Sequence, residues 1–293
     1  MSDFFQGQVA VITGAASGIG AALARALVQR QCHVALVDRQ ADALQALAMA
    51  LADKGVRISV HAMDVRDSQA LVDLPAQVRQ AHGAVQLLIN NAGVASIGPF
   101  AQQSADEFDT VWAINFGAAV GLTRAFLPHL LTQKAAHIVN MSSVFGLVAP
   151  EGQAAYAASK FALRGFSEAL RQELRGTAVR VMVVHPGGVD TAIASSAMAG
   201  GVDPHEAARE RKRFARLPKL SATQVAERIL QALPKGQDRL VLGWDARLLD
   251  LVQRCFPQGH ARVLAWLMRW GNTPRHRSND SPGAQQQPGD GHG

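Results

Sequence analysis

Cysteine is scarce in this 293-residue chain: Cys32 and Cys255 are the only two, and they lie far apart. A disulfide framework is therefore not indicated, and a reducing, cytoplasmic setting is expected. Long apolar runs are missing as well. No window of about 18 uninterrupted apolar residues occurs, which argues against a membrane-spanning helix. Residues 1–7 carry no basic run followed by an apolar stretch, so no export signal is read there. The ten histidines show no metal-ligand spacing, so no metal is expected. None of the usual nucleic-acid-binding motifs accompanies the basic residues, which sets nucleic acid aside as a partner. No repeat of fixed period is visible.

Apolar content, by contrast, is ample. With 48% hydrophobic residues the chain can bury a sizeable core, and one α/β domain is the simplest reading. Net charge is +6, unevenly spread: residues 1–200 hold 14 basic and 14 acidic residues, whereas residues 201–293 hold 15 and 9. Such an excess suits an anionic membrane surface or an acidic ligand, although solubility alone also accounts for it.

Apolar runs with β-branched content alternate with longer segments of helical period: 9–13 then 19–29, 33–37 then 41–52, 56–61 then 68–81. The rhythm continues with a strand at 87–90, one long helix over 106–131, a strand at 137–141, a helix at 154–174 and a strand at 179–184. It predicts a doubly wound, Rossmann-type parallel sheet with helices on both faces. Such sheets take ligands at the carboxyl ends of the strands, where strand order reverses. After residue 184 the pattern breaks into a small-residue stretch, 187–201, and a charged run, 209–216, read together as a substrate lid. Ser221 can cap a helix running to 233, and 239–242 would be the last strand. The organisation expected is one domain over 1–243, a C-terminal helical extension over 244–270, and a tail over 271–293. That tail has too little apolar surface to offset the entropy of ordering.

Residues 13–20 read TGAASGIG, a glycine-rich turn between the first strand and the first helix. Gly14 permits the tight turn, Gly18 lets backbone amides approach a pyrophosphate, and Gly20 allows close packing, with the helix N-terminus favouring the anion. The spacing G-x-x-x-G-x-G is not the commoner dinucleotide fingerprint, and a glycine-rich turn alone can be a flexible loop. Asp38 ends the second strand, where a carboxylate can accept from both hydroxyls of an adenosine ribose and would repel a 2′-phosphate. NAD is therefore the cofactor favoured. Arg39, next in the chain, could instead attract the phosphate of NADP. Asp64 and Val65 after the third strand, and residues 90–93 (NNAG, with Asn91, Ala92 and Gly93) after the fourth, would complete an adenine rim.

Tyr156 and Lys160 stand i, i+4 on a predicted helix, so they share one face and the ammonium can sit near the phenol. A phenol has a pKa near 10, and a base useful at neutral pH needs roughly three units less, about 4 kcal/mol of differential stabilisation. Lys160 and a bound nicotinamide cation could supply it together. Ser143, at the end of the fifth strand segment, can hydrogen-bond a substrate oxygen. Taken alone, a Tyr-x-x-x-Lys pair has an ordinary explanation, a tyrosine packed under an aliphatic lysine stem.

In this order, TGAASGIG, NNAG, Asn115, Ser143, the Tyr156–Lys160 pair and residues 186–191 (PGGVDT) resemble the short-chain dehydrogenase/reductase family over roughly residues 7–243. The resemblance implies an NAD(P)-dependent oxidoreductase interconverting an alcohol and a carbonyl. Tyr156 would be the acid/base and Lys160 would lower its pKa while holding the nicotinamide ribose. Ser143 would orient the substrate, and Asn115 would anchor a proton-relay water through a helix kink. Ser142 is adjacent but wrongly spaced. Gly187, Val189 and Thr191, following Pro186, match positions that hold the nicotinamide carboxamide and pyrophosphate. Ser17 and Ile19, flanking Gly18, belong to the pyrophosphate turn. The resemblance also implies a homodimer or homotetramer through the long helices after the fourth and fifth strands.

Substrate choice would lie in 96–100, 144–153 and the lid, whose Ile97, Phe145, Leu147, Ile193 and Met198 suggest an apolar small-molecule pocket. Arg209, Arg211, Lys212, Arg213 and Arg216 could bind an acidic group, or form a solvated helix face. The extension reads as an appendage of two amphipathic segments, 246–256 and 261–270, with arginines and tryptophans nearby. It can make peripheral membrane contact over 245–270, or pack on its own domain or a partner subunit. A dinucleotide-binding sensor or scaffold without turnover is the alternative to an enzyme; the intact set Asn115, Ser143, Tyr156 and Lys160 favours the enzyme. Epimerisation or dehydration on a related fold is a third reading.

Overall fold

The computed structural model describes residues 4–191, 193, 197–198, 220–259 and 261–262. The charged run 209–216, most of the lid, most of the segment 261–270 and the tail lie outside the described residues.

Alternation along the first strand sets the architecture. Every residue of β1 (Val9–Thr13) is buried, with Ala10 and Ile12 in the core on one face and Val9 and Val11 in the core on the other. A strand buried on both sides needs helices over both sides. The first face is covered by α1 (Gly18–Val28), α2 (Ala41–Leu51) and, late in the chain, α7 (Ala222–Ala232), which contribute Leu23, Leu27, Leu44, Val225 and Ile229. The second is covered by α3 (Ser68–His82), α5 (Ala118–Leu130) and α6 (Ala154–Glu173), through Leu74, Val78, Leu122, Phe126 and Leu170.

Seven parallel strands run in the order β3 (Ile58–Ala62), β2 (His33–Asp38), β1, β4 (Leu87–Asn90), β5 (Ala136–Met141), β6 (Val179–Pro186) and β9 (Arg239–Leu242). Val11 pairs with Ala35 on one side and Leu88 on the other. The winding thus reverses between β1 and β4, and the crevice beyond their carboxyl ends is the natural ligand position. A short pair, β7 (Val189–Asp190) and β8 (Leu220–Ser221), stands apart. Ser221 caps α7 as its sequence suggests: its hydroxyl accepts from the Gln224 amide, and the Gln224 side chain returns the bond in a capping box.

The helix predicted over 106–131 requires a correction. It is α4 (Ala105–Trp112), a π-helical turn (Ala113–Gly117) and α5 in continuous succession. The wide turn directs Asn115 inward, where its amide makes bonds that an undisturbed helix would not offer, as π-bulges at functional positions do. By length and composition this run, Ala105–Leu130, could cross a membrane. Here Val111, Leu122, Phe126 and Leu130 are fully buried, and it serves as a core helix.

The start of the C-terminal extension is also not an appendage. Helix α8 (Trp244–Cys255) follows β9 directly and packs back against the sheet domain. Arg239 on β9 and Asp250 on α8 form a bidentate ion pair at 2.6 and 3.0 Å, and Ala246 is buried against Val144 and Val148. Fork-to-carboxylate geometry of this kind fixes orientation as well as distance.

Candidate active site

The chain leaves β1 at Thr13, whose hydroxyl accepts from the amides of Asn91 and Ala92, each at 3.0 Å. The Asn91 side chain returns a bond to the Thr13 carbonyl at 2.9 Å and another to that of Gly14 at 3.3 Å. The glycine-rich turn is thereby stapled to the NNAG turn across the switch point. Gly14 and Gly18 adopt positive φ, 64° and 53°, which favours glycine. Gly20 has a different reason: a Cβ there would strike the Gly14 carbonyl oxygen, so only glycine lets α1 begin this close to the turn. A turn that has glycine at its tightest points and opens a helix fits a pyrophosphate. Ser17 occupies the N-cap position of α1 and makes no side-chain cap bond, and Ile19 follows in its first turn.

Asp38 is buried at the end of β2. Its Oδ2 accepts from the Ala16 amide at 3.1 Å and its Oδ1 from the Gln40 amide at 3.0 Å, fixing the carboxylate beside the turn. Each oxygen keeps acceptor capacity for a ribose hydroxyl. Met63 donates its amide to the Asp38 carbonyl, which places the following Asp64 and buried Val65 alongside. The Arg66 guanidinium occupies the Asp64 carboxylate and holds it below the ordinary range. Arg39 is exposed and near enough to Asp64 to add to that effect.

On the other side of the switch point, Tyr156 and Lys160 lie on the first turns of α6, and Tyr156 is the chain's only tyrosine. Lys160 is buried, with Nζ donating to the Met141 carbonyl at 2.9 Å and lying 5.7 Å from the centre of the Tyr156 ring. Loss of water lowers the Lys160 ammonium from 10.5 to about 8. Burial also pushes the Tyr156 phenol above its ordinary 10.0, and a hydrogen bond with the Ser143 side chain partly offsets this. In the free protein the phenol is thus a stable acid.

Ser143 opens a short 3-10 turn, Val144–Gly146, where its hydroxyl accepts from the Phe145 amide at 3.1 Å. Behind it, the His185 ring nitrogen Nδ1 lies 3.0 Å from the Ser143 carbonyl oxygen, which can only accept, so Nδ1 carries the proton. Asn115 spans the site from the π turn: Oδ1 accepts from the Val94 amide at 2.8 Å, and Nδ2 donates to the Val94 carbonyl at 2.9 Å and to Ser159 Oγ at 3.0 Å. Ser159 in turn donates to the Tyr156 carbonyl. Gly93 lies between Asn115 and Lys160: a Cβ there would stand 3.2 Å from Asn115 Oδ1 and 3.4 Å from Lys160 Nζ.

The four predicted catalytic side chains therefore converge. Ser142, set aside on spacing, holds the backbone of the same helix instead, its hydroxyl donating to the Lys160 carbonyl at 3.0 Å. Pro186 ends β6; Gly187 and Gly188 lead into β7, which carries Val189; and Thr191 brings its methyl group against Gly18. Three contributors escaped the sequence reading: Ser159, His185 and Asp245. Ser159 acts through the Asn115 amide and the Tyr156 carbonyl, and His185 through the Ser143 carbonyl, partners that no spacing rule exposes. Asp245 accepts the Gly188 amide at 2.8 Å from the first turn of α8, and only an acidic residue just after a strand hinted at it. Among the described residues no group of histidine, cysteine or acidic side chains could hold a metal.

The family model for short chain dehydrogenases matches residues 8–200, about two thirds of the chain. The chain belongs to the short-chain dehydrogenase/reductase family. SadH of Mycobacterium tuberculosis is 39% identical over 264 residues, which span 89% of this chain and 95% of that protein. A short-chain dehydrogenase/reductase from Burkholderia phymatum, solved in complex with NAD, superimposes with a TM-score of 0.81 at 31% identity, covering 87% of this chain and 95% of its own. A metagenomic short-chain oxidoreductase solved with NADP gives 0.67, also at 31% identity, over 83% and 98%. Members of this family are oxidoreductases that use NAD(P), and the parallel sheet with its two helical layers is the fold they share.

Proposed function

We propose that this short-chain dehydrogenase/reductase interconverts an alcohol and a carbonyl by hydride transfer, with Tyr156 as acid/base. The observation that carries this reading is the juxtaposition of the Ser143 hydroxyl, which favours the ionised Tyr156 phenol, with Lys160 Nζ 5.7 Å from the centre of the Tyr156 ring. A substrate oxygen placed between Ser143 and Tyr156 would receive two hydroxyl groups, one steadying developing negative charge and one exchanging the proton. When bound, the nicotinamide accepts or supplies the hydride. In the oxidative direction Tyr156 must first be ionised, and the substrate hydroxyl proton then passes to its phenolate oxygen.

Lys160 serves two ends in this scheme. Its charge favours the phenolate, and its three donors can hold both the Met141 carbonyl and a ribose hydroxyl. Asn115, locked to the Val94 backbone and to Ser159, keeps the π turn open beside Lys160, which suits a relay water in that gap. NAD is the cofactor favoured, because Asp38 is oriented by two main-chain amides towards the ribose position and would repel a 2′-phosphate. Arg39 leaves NADP as the second choice.

An apolar substrate suits the surroundings of Tyr156: Ala95, Ile97 and Ala197 pack against it, and Phe145 stacks edge-on at 6.2 Å. We place the protein in a reducing, cytoplasmic setting; the exposed Cys255 and buried Cys32, both unbridged, are consistent with it. Partly exposed Trp112 and Phe161, on α4 and α6, support assembly into a homodimer or homotetramer through these long helices.

The test is a fluorescence titration with NADH and NADPH, followed by an absorbance assay against apolar alcohols and carbonyls. Binding with substrate-dependent turnover is the expected outcome. Tight binding with no turnover across the panel would favour a sensor instead, and no binding of either nucleotide would overturn the reading.

A further inference from the structure

The turn that follows β6 is held from outside the family's matched region, by a residue of α8. Gly187 donates its amide to the Leu242 carbonyl at 2.8 Å, and Gly188 donates to Asp245 Oδ2 at 2.8 Å. The Asp245 carboxylate is pressed between two glycines: a Cβ on either Gly187 or Gly243 would collide with it. Gly243 has a φ of 99°, a left-handed value that lets the chain leave β9 and turn straight into α8. The carboxylate sits in the first turn of that helix, where the dipole favours an anion. These contacts come from separate parts of the chain and converge on one side chain.

The turn held in this way leads directly into Val189 and Thr191, and Thr191 reaches back to Gly18 of the phosphate turn. We infer that Asp245 is a positioning residue for the nicotinamide half of the cofactor site, through its bond to the Gly188 amide. The inference rests on the proposed reading of residues 187–191 as the nicotinamide side. It has a structural corollary: the extension beyond residue 243 is part of the cofactor site's framework, so the sheet domain alone does not hold a complete one. Without the carboxylate, the Gly188 amide would be left to water and the space beside Gly187 and Gly243 would open, and the turn would lose the constraint that keeps it against the phosphate loop.

Two nucleotides separate this role from general support of the fold. NADH presents both halves of the dinucleotide, whereas ADP-ribose lacks the nicotinamide and uses the pyrophosphate and adenosine contacts. In full-length Asp245→Ala, NADH affinity should fall about tenfold and ADP-ribose affinity stay within about twofold, with Asp245→Asn recovering most of the loss because its amide oxygen can still accept from Gly188. Asp245→Ser, with a side chain one bond too short to reach, substitutes if the alanine protein does not fold, and should show the same selective loss. Equal weakening of both nucleotides, or unchanged NADH binding, would overturn the inference. Asp38→Ala, measured alongside, should weaken both nucleotides. If it weakened neither, the dinucleotide reading itself would fail, whatever the Asp245 variants did.

Discussion

Lys160 holds its Nζ 5.7 Å from the centre of the Tyr156 ring while bonding the Met141 carbonyl at 2.9 Å, so the cation is fixed beside the phenol. Yet burial alone holds the phenol above 10.0 and the ammonium down near 8. Both shifts oppose ionisation of the pair in the free protein. In the proposed mechanism, activation of the phenol would await further positive charge at the site, which a bound oxidised nicotinamide would bring.

Because Tyr156 is the only tyrosine, its ionisation can be followed directly by ultraviolet difference spectroscopy. The tyrosinate signal of the free protein should appear only above pH 10, in keeping with its raised value. Saturating NAD+ should shift it downward by at least about one unit. An identical titration with and without NAD+ would remove the nicotinamide charge from the account.

Removing the proton donor should separate binding from chemistry. Tyr156→Phe should bind NADH within about twofold of the parent while turnover falls by about 10²- to 10⁴-fold, the usual worth of a general acid/base. Near-normal turnover in that variant would mean that another group moves the proton.

Lys160 also shapes stability. Its folded value near 8 lies below the ordinary 10.5, so the folded state disfavours the ammonium. The resulting stability is fully present above 10.5 and is lost as pH falls through 8. The parent should gain thermal stability relative to Lys160→Met as pH is raised across that window. Melting curves of the two proteins that stay parallel would contradict a desolvated ammonium.

Three buried histidines act at lower pH. Burial brings His82, His137 and His185 from 6.5 to about 4, with Arg57 adding to the effect at His82 and Arg180 at His137. The stability they contribute is complete above 6.5 and lost as pH falls towards 4. Urea midpoints should drop across this range, and His137→Gln, which takes up no proton, should lose less than the parent. Equal losses would show that other groups control the acid limb.

On the proposed reading, Asp38 decides between the two nucleotides. Asp38→Ala should weaken NADH by about tenfold and leave NADPH nearly unchanged or improved, since the carboxylate both accepts from the ribose hydroxyls and repels a 2′-phosphate. If both affinities fell equally in paired titrations, the ribose assignment would be wrong.

Much of this protein was legible in its sequence. Period and composition alone predict the strands at 9–13, 87–90 and 239–242 with the bounds observed; the first two are buried along their whole length, as parallel strands covered on both faces are. The candidate motifs from Gly14 to Lys160 were readable because phosphate, ribose and proton chemistry would each demand particular residue types at particular distances along one element. What stayed hidden depends on contacts between distant parts of the chain. The inward turn of Asn115 follows from a π-helical insertion that no periodicity announces, and Ser142 and Ser143 differ only in what lies opposite them, the Lys160 carbonyl for one and the Tyr156 phenol for the other. Asp245 reads as one more acid at a helix start until β9 brings it beside Gly187 and Gly188, some 57 residues earlier in the chain. Local pattern in the sequence was enough for the fold class and for naming the candidate cofactor and acid/base residues. How those groups are oriented, and how far burial shifts their ionisation, came from tertiary contacts, because both depend on through-space neighbours and on the exclusion of water.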